Sequence, residues 1–197
     1  MTTNTPTIQK DRPEGCNRVG TVQALSGLSV EEFGFGNARQ TRLTLVNVPL
    51  SITDALAYSG QKLYTFPEGI IYFKGCTGSI AFTTTSAIAS TLNSGVTVQW
   101  GLGSATASAT TLATTMINML TGTGVSPATF TSSTVINVAP ATATAYFSGA
   151  AAKLDGTGTA IAMYLNLALG TATDIDADAT LVANGTITFT WEPHGDY

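Results

Sequence analysis

Aspartates at every second position give one stretch of the sequence the spacing of metal ligands. Asp174, Asp176 and Asp178 match the opening of a calcium-binding loop, in which alternate carboxylates supply oxygen ligands. The sixth position of that loop is Ala179 instead of glycine, and the twelfth is Gly185 instead of glutamate. These departures favour a solvent-exposed acidic loop, so the three aspartates are only weak candidates for a metal site.

Nucleophilic catalysis would have to use the single histidine, His194, which lies near the C-terminus in the sequence PHGDY. A general base needs a rigid set of neighbouring side chains to orient it, which a terminal tail does not supply. No GxSxG motif is present, and the glycine-containing stretches GLG and GTG match neither a dinucleotide-binding nor a phosphate-binding loop. The sequence therefore predicts no catalytic residue and no cofactor, with His194 exposed.

Carboxylates are the remaining groups that could act as an acid and base pair. Glu31, Glu32 and Glu68 are scattered along the first third of the chain, and their spacing does not favour any pair. Nothing in the sequence therefore indicates a glycosidase site, and the protein is predicted not to be an enzyme.

The composition is unusual in how few charges it contains. Charged residues make up 10% of the 197 residues, against roughly 25% in an average soluble protein, while hydrophobic residues make up 44%. The surface must therefore be built largely from Thr, Ser, Asn and Ala. Because depletion of charge marks the centres of protein interfaces, this composition favours a protein that assembles with others.

Several partner classes are disfavoured by the charge pattern and the hydropathy. The formal net charge is −4, and the eight basic residues form no cluster that could follow a phosphate backbone, so nucleic-acid binding is not expected. No run approaches the ~20 apolar residues of a membrane span, and the polar N-terminus lacks the apolar core of a signal peptide. We expect a soluble protein made in the cytoplasm, with Cys16 and Cys76 as free thiols and a disulfide between them as the alternative.

The elements that would position any site are mostly strands. Ile161 to Leu169 alternates so that one side of an extended chain is strongly apolar. Two further apolar-alternating runs flank Asn184-Gly185, which predicts a β-hairpin with a type I′ turn at that dipeptide. Further strands are predicted near residues 18–25, 28–33, 39–48, 63–66, 70–82, 96–102, 130–138 and 141–147. Pro49 is expected to end the strand at residues 39–48.

Two short helices are predicted in the connections between strands. Ser51 to Gly60 resembles a capping box, with Ser51 as the N-cap and Asp54 at the third helical position. Residues 104–122 carry Leu112, Met116 and Leu120 at a spacing of four, which is typical of one face of a helix.

Four aromatic residues lie on apolar faces of the predicted strands and are expected in the core, namely Trp100, Trp191, Phe73 and Phe189.

These elements predict an all-β fold, an antiparallel β-sandwich of jelly-roll type with one or two short helices in the connections. Residues 1–17 are polar, contain two prolines and show no periodicity, so they are expected to form an N-terminal arm outside the core. Residues 18–197 are expected to form a single β-sandwich domain.

Tyr146 and Phe147 are consecutive, so they point to opposite sides of a strand, and one of them is a candidate for contact with a partner.

The layout of the chain resembles that of the capsid decoration, or cement, proteins of tailed bacteriophages, especially the short-tailed type. The resemblance lies in the polar arm MTTNTPTIQKDRPEG, the nearly uncharged middle SIAFTTTSAIASTLNSGVTVQWGLGSATASATT and the closing sequence LVANGTITFTWEPHGDY. It covers most of the chain, but it is a likeness of composition and layout without a short signature motif.

The resemblance implies a jelly-roll protein that forms a homotrimer on the outside of an icosahedral head and bridges neighbouring major capsid proteins. It implies a location on the outer capsid surface of the virion. The N-terminal arm would reach over an adjacent subunit. The arm residues that become candidates for this contact are Thr7, Ile8, Gln9, Lys10 and Arg12.

Two other functions stay open at this point. A receptor-binding or carbohydrate-binding β-sandwich of a phage tail or fibre would predict exposed aromatic side chains in a groove, and a cation at Asp174 to Asp178. A hydrolase on a jelly-roll scaffold would have to work with carboxylates alone, because the single histidine is close to the C-terminus.

Overall fold

The computed structural model of the chain describes residues 20–35, 37–53, 56–84, 99–121, 135–137, 141–143, 153–170 and 178–195. These residues form strands almost throughout, and the helical element among them is one 3-10 turn, Thr114–Met116. The strands in chain order are β1 (Thr21–Val22), β2 (Leu28–Phe35), β3 (Ala38–Ile52), β4 (Tyr58–Thr65), β5 (Gly69–Thr84), β6 (Gln99–Gly103), β7 (Leu120–Thr121), β8 (Val135–Asn137), β9 (Ala141–Ala143), β10 (Lys153–Gly156), β11 (Ala162–Ala168) and β12 (Ala179–Gly195).

The strands form two antiparallel sheets. The small sheet has the order β1-β4-β11-β6-β7, and the large sheet has the order β10-β5-β12-β3-β2, with β8 and β9 also paired to β5. Side chains from both sheets join one buried hydrophobic cluster. The predicted all-β, antiparallel, two-sheet fold is thereby confirmed.

The order of strand pairing follows a simple rule. β3 pairs with β12, β4 with β11, β5 with β10, and β6 with β7. Among these eight strands, the first in the chain therefore pairs with the last, the second with the second-last, and so on to the central pair. Along the chain these eight strands change sheet at every step except from β6 to β7, because β3, β5, β10 and β12 belong to the large sheet and β4, β6, β7 and β11 to the small one.

Aromatic side chains fill one end of the core. Trp100, Trp191, Phe73 and Phe189 are each at most 1% exposed, which confirms their predicted place in the core. The ring of Phe66, from the turn between β4 and β5, lies at the centre of the cluster. Its centroid lies 5.2 Å from that of Tyr64, 5.4 Å from Trp191, 5.7 Å from Phe189 and 6.2 Å from Phe73.

Most of the predicted strands are present where residues are described. The strand predicted at residues 161–169 is β11, and Met163, Leu165 and Leu167 on its predicted apolar side are fully buried. The runs at 28–33, 39–48, 63–66 and 70–82 correspond to β2, β3, β4 and β5. The run at 18–25 is described from residue 20 and contains β1, and that at 96–102 is described from residue 99 as β6. The runs at 130–138 and 141–147 are described only at β8 and β9.

The predicted hairpin at Asn184-Gly185 is wrong, because both residues lie inside the continuous strand β12. β12 pairs with β3 on one side and with β5 on the other along almost its whole length. A turn at this dipeptide would break both ladders. The backbone hydrogen bonds to two neighbouring strands therefore override the local preference of Asn-Gly for a turn.

A β-bulge in β3 explains why apolar residues appear on both sides of the run at 39–48. Ala183 pairs with Val48 and Gly185 with Leu45, so Val46 and Asn47 together lie opposite the single residue Asn184. Asn47 has a positive φ of 56°, and its N–H donates to Oδ1 of Asn184 over 2.8 Å. The extra residue reverses the alternation, so Val48 is buried like Leu45 while Val46 is exposed.

The prediction that Pro49 ends this strand is also wrong. Pro49 lies within β3, opposite Val182, and the strand continues to Ile52. β2 pairs with β3 only as far as Leu45. Pro49 therefore lies where β3 has one strand neighbour among the described residues, which is where a sheet tolerates proline.

Replacing Gly185 with alanine is expected to lower the free energy of unfolding by about 2 kcal/mol. Gly185 has a φ of 144°, and a Cβ at this position would lie 2.0 Å from the backbone oxygen of Ser79 on β5. Thermal or urea unfolding measures the loss. Gly158→Ala is the matched control, because no atom lies within 4 Å of a Cβ there, and equal stability of the two variants would contradict the β12 register.

The helix predicted at Ser51 to Gly60 is not present. Ser51 and Ile52 end β3 and pair with β12, and Tyr58 begins β4. A bridge between Thr53 and Leu56 makes a tight turn between the two strands. Asp54, the predicted third helical residue, lies outside the described residues. Strand pairing at both ends of the segment leaves no room for a helix.

The helix predicted at residues 104–122 is also absent from its described part, residues 104–121. The chain there is irregular apart from the 3-10 turn and β7. Leu112 packs in a small cluster on the outside of the small sheet, whereas Leu120 belongs to the main core. The spacing of four therefore did not mark one helical face, and the many threonines in this segment favour an extended chain.

Candidate interaction face

Most residues predicted to bind a partner or a cation lie outside the described part of the chain. These are Thr7, Ile8, Gln9, Lys10, Arg12, Tyr146, Phe147, Asp174 and Asp176. The predicted arm, residues 1–17, lies outside it as well. Asp178 is described and is exposed immediately before β12. Among the described residues, no group of three or more His, Cys, Asp or Glu side chains is close enough to hold a metal ion.

His194 lies in β12 and not in a tail, which corrects the prediction. Its side chain is 46% exposed, and Nε2 lies 3.6 Å from Oε2 of Glu192, which also accepts from Nζ of Lys74 at 3.1 Å. The His194 ring contacts Tyr72 with a centroid distance of 4.6 Å. The predicted exposure of His194 is confirmed, and its neighbours form a charged cluster at one end of the large sheet.

A buried polar group lies beneath the large sheet, next to the aromatic cluster. Tyr64 Oη donates to Oε1 of Glu32, and Trp191 Nε1 donates to Oγ1 of Thr41 at 2.9 Å. Burial, and then the charge of Glu32, raise the pKa of Tyr64 well above its ordinary value. Because Tyr64, Thr41 and Trp191 are fully buried, a substrate cannot reach them, so this group contributes to the fold.

Cys76 is a free thiol, as predicted, and it is buried on β5. Burial raises the pKa of this thiol far above its ordinary value, so it stays protonated and unreactive. Cys16 lies outside the described residues.

The outer face of the small sheet is covered by the chain itself. Residues 104–119, the covering segment, lie across this face, where Leu112 and Ala107 pack on Ala168 of β11. The fully buried side chain of Asn166 holds the segment in place. Its Oδ1 accepts the N–H of Ala107 at 2.8 Å, and its Nδ2 donates to the carbonyls of Ala105 and Met116 at 2.8 and 2.7 Å.

Glycines on both neighbouring strands make room for the covering segment. Asn166 pairs with Gly60 on β4 and with Gly101 on β6. A Cβ on Gly60 would lie 2.8 Å from the backbone nitrogen of Ala107, and one on Gly103 would lie 2.2 Å from the carbonyl oxygen of Thr115. The close approach of the segment to the sheet therefore requires these glycines.

The outer face of the large sheet, in contrast, is not covered by any described part of the chain. Hydroxyl side chains cross it in two adjacent rows. The residues of this hydroxyl band are Ser29, Thr44, Thr186 and Ser79 in the first row, and Thr188 and Thr77 in the second. The second row continues through Arg42 on β3 and Glu31 on β2, which are the charged residues of the two rows. A guanidinium nitrogen of Arg42 lies 3.6 Å from Oε2 of Glu31. The centre of the face is therefore polar but nearly uncharged.

Exposed apolar side chains lie at the margins of the hydroxyl band. Phe33 on β2 is 44% exposed and Val46 on β3 is 56% exposed, and both point to the outer face. The far end of the face carries the cluster of Lys74, Glu192 and His194 described above. The face therefore has a centre with few charges, which is a property it shares with protein interfaces, and two exposed apolar side chains at its margin.

Sequence reasoning did not identify this candidate interaction face, the outer face of the large sheet, because its residues come from four separate strands. The sequence predicted Thr186 and Thr188 in one arm of a hairpin. It predicted a strand that contains Ser79, but not which strands would pair with it. The threonines at alternate positions of TITFTW were the available signal. Only the pairing of β12 between β3 and β5 joins them into a continuous surface.

No helix among the described residues has the length and apolar character needed to cross a membrane. A comparison of the sequence with models of protein families finds no match. A comparison with curated proteins finds no similar sequence. The functional argument therefore depends on the geometry of the chain.

Proposed function

We propose that this chain is a virion structural protein, which binds the outside of an icosahedral phage capsid as a homotrimer and stabilises it by bridging neighbouring major capsid proteins. The observation that carries the proposal is the outer face of the large sheet, which no described part of the chain covers and which is polar, nearly uncharged and flanked by exposed apolar side chains. Such a face is suited to contact with another protein and not to a chemical reaction.

The proposed fold within this function is a jelly roll. A jelly roll is a two-sheet, eight-stranded antiparallel structure built from two Greek keys. The nested pairing of β3 with β12, β4 with β11, β5 with β10 and β6 with β7 supports it, since that pairing is what results when a long hairpin is wrapped into a sandwich. The other described strands, β1, β2, β8 and β9, are additions to this set of eight.

The absence of an evident reaction site in the described residues agrees with a structural role. Among the described residues, the Glu32 and Tyr64 pair is buried, and the exposed cluster around His194 lies at one end of the large sheet. We propose that the protein is not an enzyme and that it acts without a cofactor.

The proposed mechanism is mechanical. Each bound subunit would add contacts across the joints between capsid proteins, and these contacts favour the closed shell over the expanded or broken one. A partner that binds only the intact state stabilises that state in proportion to its occupancy. Many modest contacts repeated over a capsid are cumulative, and multivalent attachment strengthens them further.

The experiment that tests the proposal is rebinding to phage heads. Purified protein is mixed with heads of the encoding phage from which this protein has been removed, and bound protein and the resistance of the heads to heat and to chelation are measured. We expect saturable binding and restored resistance. Heads that bind none of the protein, or that bind it without any gain in resistance, would contradict the proposal.

The alternative, a receptor-binding or carbohydrate-binding module, makes a different prediction. It requires a groove lined by several aromatic side chains, whereas Trp100 and Trp191 are buried, the Tyr72 ring is contacted by His194 and Lys74, and Phe33 is exposed at the margin of a sheet face. Binding of the protein to a glycan array, together with failure to bind heads, would favour this alternative over the proposed function.

A further inference from the structure

We propose that the outer face of the large sheet is the surface through which one copy of this chain binds a second copy. The inference deepens the proposed function, on which it rests for the expectation of a homotrimer: this face of each copy would pack on a different surface of the next copy, as a closed threefold ring requires. Three properties of the face support a second copy as its occupant, namely which of the two sheet faces is open, how the charge is distributed, and how large the face is.

The first property is that only one of the two outer sheet faces is open among the described residues. The outer face of the small sheet is covered by residues 104–119, which Asn166 binds through three hydrogen bonds. The outer face of the large sheet has no such cover, although Phe33 and Val46 on it are exposed. An apolar side chain gains by being removed from water, so this face gains most from a partner.

The second property is the charge balance of this face. Its described side chains include three basic residues, Arg42, Lys74 and Lys153, and three acidic residues, Glu31, Asp155 and Glu192, so the face has no net formal charge. The whole chain has a net charge of −4, to which the described residues of this face contribute nothing. Two copies repel each other least when they meet through a neutral face.

The third property is the size of the face. β3, β5 and β12 are 15, 16 and 17 residues long, and β12 pairs with both neighbours over Leu181–Trp191. At ~3.3 Å per residue and ~4.8 Å between strands, they present roughly 700 Å², and β2 adds about 100 Å². A stable interface buries about 800 Å² on each partner. The face is therefore large enough to hold a second copy without help from another surface.

Introducing a charge into the hydroxyl band tests this inference. Thr186→Lys places a cation between Thr44 and Ser79, where contact with a partner would have to desolvate it. Thr111→Lys is the matched control, because Thr111 is exposed on the covering segment of the small sheet. Sedimentation velocity over a wide concentration range measures self-association, and thermal unfolding shows that each variant is folded.

We expect the wild-type chain to self-associate, Thr186→Lys to weaken association by roughly tenfold to a hundredfold, and Thr111→Lys to leave it unchanged. Phe33→Thr provides a second variant that adds no charge, and it should weaken association as well. The inference is overturned if the wild type is a monomer at every concentration, or if folded Thr186→Lys and Phe33→Thr associate as the wild type does.

Binding of the same proteins to stripped heads separates this inference from the proposed function. A wild-type monomer that binds heads would overturn the inference and leave capsid binding intact. Self-association that Thr186→Lys weakens, combined with no binding to heads, would support the inference and contradict the proposed function. If Thr186→Lys self-associates normally but fails to bind heads, the capsid protein occupies this face and the inference is wrong.

Discussion

Replacing Phe66 with alanine is expected to lower the free energy of unfolding by about 4 kcal/mol, which is the largest effect of any single substitution proposed for this chain. Phe66 is 1% exposed, and its ring makes edge-to-face contacts with Tyr64, Phe73, Phe189 and Trp191. Because these rings come from β4, β5 and β12, the deletion leaves a cavity between the two sheets that cannot close without moving several strands.

Urea unfolding followed by tryptophan fluorescence measures this loss, since Trp191 lies against Phe66. Phe66→Leu is the conservative control, and a loss of about 1 kcal/mol is expected because most of the volume is kept. A Phe66→Ala variant as stable as the Phe66→Leu variant would show that Phe66 is not at the centre of the core.

Replacing Asn166 with alanine is expected to cost about 3 kcal/mol and to loosen the covering segment. The change removes one buried and two part-buried hydrogen bonds, each worth about 1 kcal/mol, and leaves the N–H of Ala107 and the carbonyls of Ala105 and Met116 without this partner. For a chain of this size the expected drop in Tm is roughly 6–12 °C.

Hydrogen exchange at the amide of Ala107 distinguishes this role from a general loss of stability. Exchange at that amide should become faster in Asn166→Ala by more than exchange in the central strands β12 and β5 does. Thr111→Ala, on the exposed side of the same segment, should change neither quantity. A shift in Tm below about 2 °C for Asn166→Ala would contradict the proposed role of Asn166.

The strands could be predicted from the sequence because alternation of apolar side chains follows directly from the geometry of an extended chain. In β11, Met163, Leu165 and Leu167 had to share one side, and the structure places all three in the core. The burial of Asn166 and Ala168 on the other side could not be predicted, since it depends on a segment some fifty to sixty residues away in the sequence.

The wrong predictions share a physical cause. The Asn184-Gly185 turn and the Ser51 helix were local signals, each worth about 1 kcal/mol. Each lies in a segment whose backbone hydrogen bonds are made to strands distant in the sequence, β3 and β5 for Gly185 and β12 for Ser51. The sum of those long-range bonds exceeds the local preference, and it does not appear in any short window of sequence.

The interaction face illustrates the same limit for function. The shortage of charge predicted an assembling protein, but it did not indicate which surface is involved. The pairing of Thr186 with Thr44 and Ser79 assigns the uncharged residues to one continuous face, and the covering segment leaves the small sheet with no comparable open face among the described residues.

The measurement that tests the central claim most directly is the number of copies bound per head as the concentration of added protein increases. The account predicts a plateau at a fixed number of copies, reached together with a rise in the temperature at which the heads open. Binding that never saturates, or no binding at all to intact stripped heads, would contradict the claim that this chain is a component of the capsid surface.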